Sequence, residues 1–164
     1  MHTEPQLEER PARPYVALRT QVTMQELGPV IPQLLGEVFP WLGQQGVSPD
    51  GPPFVRFHVI DMAAQLDIEV GVPVAAALAG EGRVVAGELP AGRYATLIYT
   101  GVQNAIPANA ALQSWAAERG ITWHKWPTDK GEAWGARLET FLTGPEDDPD
   151  PATWRTEVAY LLAT

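Results

Sequence analysis

The sequence predicts an α+β domain made of a duplicated β-α-β-β unit. The expected architecture is a continuous antiparallel sheet with two helices on one face and a groove on the other. Three observations lead there. Short β-branched and aromatic runs alternate with two stretches of helical periodicity. The order strand, helix, strand, strand occurs twice along the chain. The chain closes on Trp134–Thr164, two apolar runs around a loop of Pro, Asp and Gly, which is the pattern of an antiparallel hairpin.

Residues 1–13 are polar and read as a loose lead-in. Residues 14–164 read as one domain, with halves at about 14–80 and 81–164. Pro14–Val22 is the first strand. Thr23 and Glu26 stand at capping-box spacing and open a helix. Leu27, Ile31, Leu34, Leu35, Val38 and Leu42 form its apolar face, and Gly46 is its stop. Pro29, Pro32 and Pro40 predict an irregular first turn and a kink. Phe54–Ile60 and Gln65–Val74 are the next strands, followed by a shorter one at Gly82–Leu89 and another at Gly92–Thr100. A second helix covers roughly Pro107–Arg119, with Leu112, Trp115 and Ala116 inward. Ile121–Glu132 reads as irregular, and strands at Gly135–Thr143 and Trp154–Ala163 complete the hairpin.

The halves align residue on residue. Tyr15 falls on Tyr94, Trp41 on Trp115, Gly46 on Gly120, Phe57 near Phe141 and Glu69 on Glu157. Neither unit could cover its own apolar surfaces, so two side by side would form one sheet. Alternation puts Thr156, Val158, Tyr160 and Leu162 toward the helices and Arg155, Glu157, Ala159 and Leu161 toward the other face. On the neighbouring strand Arg137, Glu139 and Phe141 share a face. A turn centred near Asp147 and Asp148 would set Glu139 roughly opposite Glu157. Like charges so placed destabilise a sheet, which suggests a use for them. The alternative is that one or both face solvent.

Composition narrows the function. The chain of 164 residues is 45% hydrophobic, enough for a substantial core, and has no cysteine for disulfides, thiolate metal sites or a cysteine nucleophile. Eleven Lys and Arg against 20 Asp and Glu give a net charge of −9, a surface that repels nucleic acid and attracts cations. Neither a signal peptide nor a membrane span is expected, since the longest apolar run, Val72–Ala79, is too short. A cytoplasmic location is therefore expected. His2, His58 and His124 show no metal-ligand spacing and there is no phosphate loop, so neither metal nor cofactor is expected.

The duplicated unit, EVGVPV, LPAGRYATLIYTG, the E-x-F-L-T-x-P run Glu139–Pro145 and WRTEV together resemble the GyrI-like small-molecule-binding domain. That family includes effector-binding domains of multidrug-sensing AraC- and MerR-type regulators. The resemblance spans about Tyr15 to Leu162 and implies a stand-alone ligand-binding protein. Its ligand would be a hydrophobic, cationic aromatic small molecule held in a groove between the halves, beside an acid and aromatic walls. Glu139 matches the acid of the family's E-x-[YF] strand, and Phe141 stands where a tyrosine is common. Glu157, Glu69, Phe57, Trp126 and Trp134 complete the expected ligand-binding set. Trp41 and Trp115 are expected in the core, and no DNA-binding helices are expected ahead of the domain. Two further activities follow from the resemblance. One is a hydrolase that opens cyclopropane rings of DNA-alkylating natural products, using Glu157 or Glu139 with Tyr94 or Tyr99. The other is a protein partner, such as a separate regulator or DNA gyrase.

Overall fold

In the computed structural model, which describes residues 1–61 and 63–164, the repeated unit is visible in the strand order. The elements are β1 (Gln6–Arg10), β2 (Arg13–Val22), α1 (Met24–Gln44), β3 (Phe54–Ile60), β4 (Leu66–Pro73), β5 (Val84–Leu89) and β6 (Gly92–Thr100). They continue as α2 (Ala105–Glu118), β7 (Lys125–Thr128), β8 (Gly131–Trp134), β9 (Arg137–Phe141) and β10 (Arg155–Leu161). The sheet runs β1-β6-β10-β9-β3-β4-β2-β5, all pairs antiparallel, with β8 and β7 attached beside β3. From the central β3–β9 pair outward the order is the same in both directions: β4 matches β10, β2 matches β6, and an edge strand closes each side. The two units are β2-α1-β3-β4 and β6-α2-β9-β10.

Both helices end by the same device. Gly46 and Gly120 have φ of 68° and 67°. The next residue in each case, Val47 or Ile121, donates back to Leu42 or Ala116 at 3.1 and 3.0 Å. These are Schellman closures, for which glycine is the residue without a steric cost. At the start of α1, Thr23 accepts from the Glu26 N–H and Glu26 accepts from the Thr23 N–H, a complete capping box contributing about 1 kcal/mol. Pro29, Pro32 and Pro40 do not interrupt α1. All three are on its exposed side, where water can serve the carbonyls they leave unpaired.

One apolar cluster packs Leu34, Val38 and Leu42 of α1 on Val16, Leu18, Ile68, Val70 and Val72. A second packs Ala108 and Leu112 of α2 on Ala95, Leu97, Val158 and Tyr160. Trp41 and Trp115 are partly buried against these clusters, as the pattern predicts. A third cluster, Tyr15, Phe54, Tyr94, Leu138, Ala159 and Leu161, covers the face away from the helices.

Three expectations need correction. The lead-in expected to be loose contains β1, which extends the second half's edge by pairing with β6. Its composition is polar because only Leu7 reaches the core. The stretch expected to be irregular, Ile121–Glu132, contains β7 and the start of β8, which pair as a hairpin. Every residue of β7 is exposed and one is Pro127, which an edge strand tolerates and a pattern search discounts. Finally, Glu139 pairs with Val158 and Glu157 with Thr140, so the two acids are one residue out of register and point to opposite faces. The slip is absorbed at the hairpin end, where the N–H groups of both Leu142 and Thr143 meet the Arg155 carbonyl at 3.0 and 3.4 Å.

Candidate functional site

The central pair sets the site. Phe54 pairs with Thr140 and Arg56 with Leu138, so Val55 and Glu139 face each other across the join of the halves. The duplication superposes Phe57 on Phe141 and therefore, two residues earlier, Val55 on Glu139. Each is thus the other's counterpart and its cross-strand neighbour, and the pseudo-twofold axis passes between them. Glu139 shares a face with Val158, which lies under α2. Its carboxylate accordingly stands on the helix side, at the floor of a groove of about 710 Å³.

The walls of this groove differ. The first half supplies Met24, Leu27, Gly28 and Ile31 of α1 above Val55, Phe57, Ile60 and Leu66 of the sheet, an entirely apolar surface. The second half supplies Val102, Ile106, Asn109 and Gln113 above Tyr99, Arg137, Glu139 and Phe141. Ile106, at 71% exposed, and Val102 form an apolar rim.

Within the second half, polar groups link α2 to the floor. The Tyr99 hydroxyl donates to Glu139 Oε1 at 2.7 Å. The Tyr160 hydroxyl donates to Asn109 Oδ1 and accepts from Gln113 Nε2 at 3.4 Å. Burial pushes the Glu139 pKa up, against the Tyr99 hydrogen bond, the Arg137 charge and Asn109, which pull it down. Burial, with Glu139 beside it, also pushes the Tyr99 phenol well up, so that phenol remains a donor at neutral pH.

The other expected residues are dispersed. Glu157 lies on the face away from the helices, in a smaller hollow of about 370 Å³ with Arg10, Arg13, Phe54, Leu89 and Tyr94. There it accepts from Arg10 Nη2 at 2.7 Å, and Arg10 also stacks on the Tyr94 ring at 5.4 Å. The Tyr94 hydroxyl donates a hydrogen bond to the Pro90 carbonyl at 2.7 Å. A groove away from the helices therefore exists, with Glu157 in it and Glu139 outside it. Glu69, 5% exposed, is on that same face as a structural acceptor. Tyr15 donates to Glu69 Oε1 and His58 Nε2 lies beside that oxygen, both at 2.5 Å. His58 lies where β3 is bulged, between Phe57 and Val59.

Phe57 and Phe141 do line the larger groove. Trp126 and Trp134 line neither hollow. Trp126 is 46% exposed on β7 beside His124, and Trp134 is buried against Trp123 and Tyr160. The sequence reasoning missed Asn109 and Gln113. Their spacing with Val102 and Ile106 marks a second helical stripe next to the core stripe of Ala108, Leu112 and Ala116, and that stripe was open to reading. Among the described residues no set of three or more His, Cys, Asp or Glu is placed to hold a metal ion. No helix among them is long and apolar enough to cross a membrane.

The profile of the GyrI-like small molecule binding domain matches residues 3–159, nearly the whole chain. The chain belongs to that family. As a GyrI-like domain it also resembles solved structures in fold. The C-terminal domain of EcmrR is 20% identical with a TM-score of 0.70, covering 98% of each chain. Against EcmrR in its DNA complex the identity is 19% and the TM-score 0.76, but the GyrI-like domain spans only 57% of that protein. SAV2435 bound to tetraphenylphosphonium is 11% identical with a TM-score of 0.65, covering 98% of this chain and 94% of that one. A hydrolase from Listeria innocua is 13% identical with a TM-score of 0.64, covering 98% and 92%. No curated protein sequence matches the chain.

Proposed function

We propose that this GyrI-like domain binds a hydrophobic, cationic aromatic compound in the groove between its helices, with Glu139 as the counter-charge. The observation that carries the reading is Glu139 itself: a carboxylate with its pKa pushed up, at the floor of a groove whose opposite wall is apolar. Burial disfavours the ionised form, and an arriving organic cation replaces the lost hydration with a paired charge. Flat rings would pack on Phe57, Phe141, Leu27 and Ile31. The likeness to SAV2435, seen with tetraphenylphosphonium, supports this choice of ligand class.

The test is a calorimetric titration of tetraphenylphosphonium into wild type and Glu139→Gln. The variant keeps the side chain's shape and removes its charge. It is expected to bind about 30-fold more weakly, roughly 2 kcal/mol, as for truncating one partner of a desolvated pair. Equal affinities would overturn the assignment of Glu139.

One observation favours hydrolysis as a second reading, namely the Tyr99 hydroxyl on Glu139 Oε1 at 2.7 Å. An ionised Glu139 could take a proton from water as the water oxygen bonds to a cyclopropane carbon and the ring C–C bond breaks. The electron pair of that bond passes into the compound's conjugated system, which is then protonated by Glu139, with Tyr99 steadying the carboxylate. Incubation with a cyclopropane-bearing alkylating natural product, followed by mass spectrometry, separates the two. A product heavier by one water that forms in wild type and not in Glu139→Gln supports turnover, and recovery of unchanged compound leaves binding alone.

A further inference from the structure

The groove holds a second charged side chain that cation binding does not use. We propose that Arg137 selects amphoteric ligands, aromatic cations that also carry a carboxylate or another strong acceptor. This inference rests on the reading of the groove as a cation site and narrows the ligand class.

Arg137 stands two residues before Glu139 on β9, so both side chains rise on the helix side, roughly 7 Å apart along the strand. Its guanidinium carbon lies 4.7 Å from the Trp134 ring centre and 4.5 Å from that of Tyr160. Those rings pack edge to face at 5.2 Å, and Trp123 packs on both. The two rings hold the guanidinium by cation–π attraction, which does not use up its N–H groups. Among the described residues those N–H groups have no hydrogen-bond or ion-pair partner. The other charges lining the groove are engaged: Glu132 meets Lys125 Nζ at 2.9 Å, and Glu139 accepts from Tyr99.

A ligand that is only a cation gains from Glu139 and is repelled by Arg137. An acceptor placed beyond the cationic ring system turns that repulsion into a charge-assisted hydrogen bond, and the planar fork suits a carboxylate. Among the described residues the first half's wall offers no polar side chain, so the acceptor has one end of the groove to go to. Arg137 then fixes the ligand's direction as well as its class.

Rhodamine B and its ethyl ester share one aromatic cation and differ in a free carboxylate, which makes them a matched pair. Fluorescence anisotropy would give the affinity of each for wild type, Arg137→Gln, Arg137→Lys and Glu139→Gln. Wild type is expected to prefer the acid dye about tenfold, the worth of one charge-assisted bond. Arg137→Gln should abolish the preference by weakening the acid dye, while the ester dye, relieved of the repulsion, binds at least as tightly as to wild type, the sign of an intact groove. Equal affinities in wild type, or a preference surviving in Arg137→Gln, would overturn the role of Arg137 and leave the cation reading standing. If Arg137→Gln loses both dyes, Arg137→Lys decides: a retained preference supports a positive charge acting there, and equal affinities refute it. Glu139→Gln should weaken both dyes alike. No effect of that variant on either dye, or no binding of either dye to wild type, refutes the cation reading and this inference together.

Discussion

Each half of the domain carries an inward glutamate on a strand of the sheet, Glu69 buried and Glu139 half-buried, and the two are treated in opposite ways. Glu69 is enclosed by donors: the Tyr15 hydroxyl and His58 bind its carboxylate, and Arg56 reaches the same Tyr15 oxygen at 3.0 Å. Burial alone would raise its pKa, yet His58, Tyr15 and Arg56 outweigh that and hold it below the ordinary carboxylate range. Glu139 accepts from the Tyr99 hydroxyl at 2.7 Å, with Arg137 and Asn109 also favouring its ionised form, yet it opens on a groove and burial still pushes its pKa up. A buried acid with converging donors holds a fold together. The acid whose burial its partners do not offset lies at the floor of the groove, which is what the proposed counter-charge role calls for.

The contrast can be broken most forcefully at Glu69. Glu69→Ala leaves a buried phenol and an imidazole without their acceptor and should cost about 3 kcal/mol, read as a lowered urea midpoint. A loss under about 1 kcal/mol would mean that the cluster is not structural.

Acid sharpens the comparison further, because the two carboxylates respond with opposite sign. Stability from Glu69 is complete above its unfolded-state pKa and is lost as pH falls through its depressed folded value. The raised pKa of Glu139 works the other way: its contribution is complete below the unfolded-state value and is lost as pH rises through the folded one. Cation binding needs the ionised Glu139. Tetraphenylphosphonium affinity should therefore start to fall at a pH above the usual glutamate value of about 4.3, and then by about tenfold per pH unit. Glu139→Gln should flatten that profile, and a wild-type profile already flat down to pH 4 would contradict the raised pKa.

The smallest effect is expected from Glu157→Gln. That acid faces the other hollow and is matched by Arg10 at 2.7 Å, so affinity for tetraphenylphosphonium should change less than twofold. A larger loss would mean that the two faces communicate.

Local signals carried most of the fold. Thr23 with Glu26, and Gly46 with Gly120, act within a few residues of themselves and need no tertiary context. The duplication supplied the long-range pairing, and it put Phe57 and Phe141 in the same groove. The site was legible only in part, because face assignment depends on strand register. One extra residue at the Arg155 carbonyl moves Glu139 away from Glu157 and under the helices, and nothing in a loop of Pro and Asp announces it. Trp126 and Trp134 misled for a related reason: the hairpin that carries them was not visible, so neither its exposed side nor its buried side could be told.

The pairing of Val55 with Glu139 has a consequence for how such a site can arise. Two separate, identical half-length chains meeting at a dyad must present the same side chain twice. They would offer two valines, or two carboxylates so close that one stays protonated. Covalent fusion of the copies lifts that restriction, and a lone acid beside a hydrocarbon neighbour becomes possible. A groove built this way has a left and a right, so a guest bound in it would meet two unlike walls.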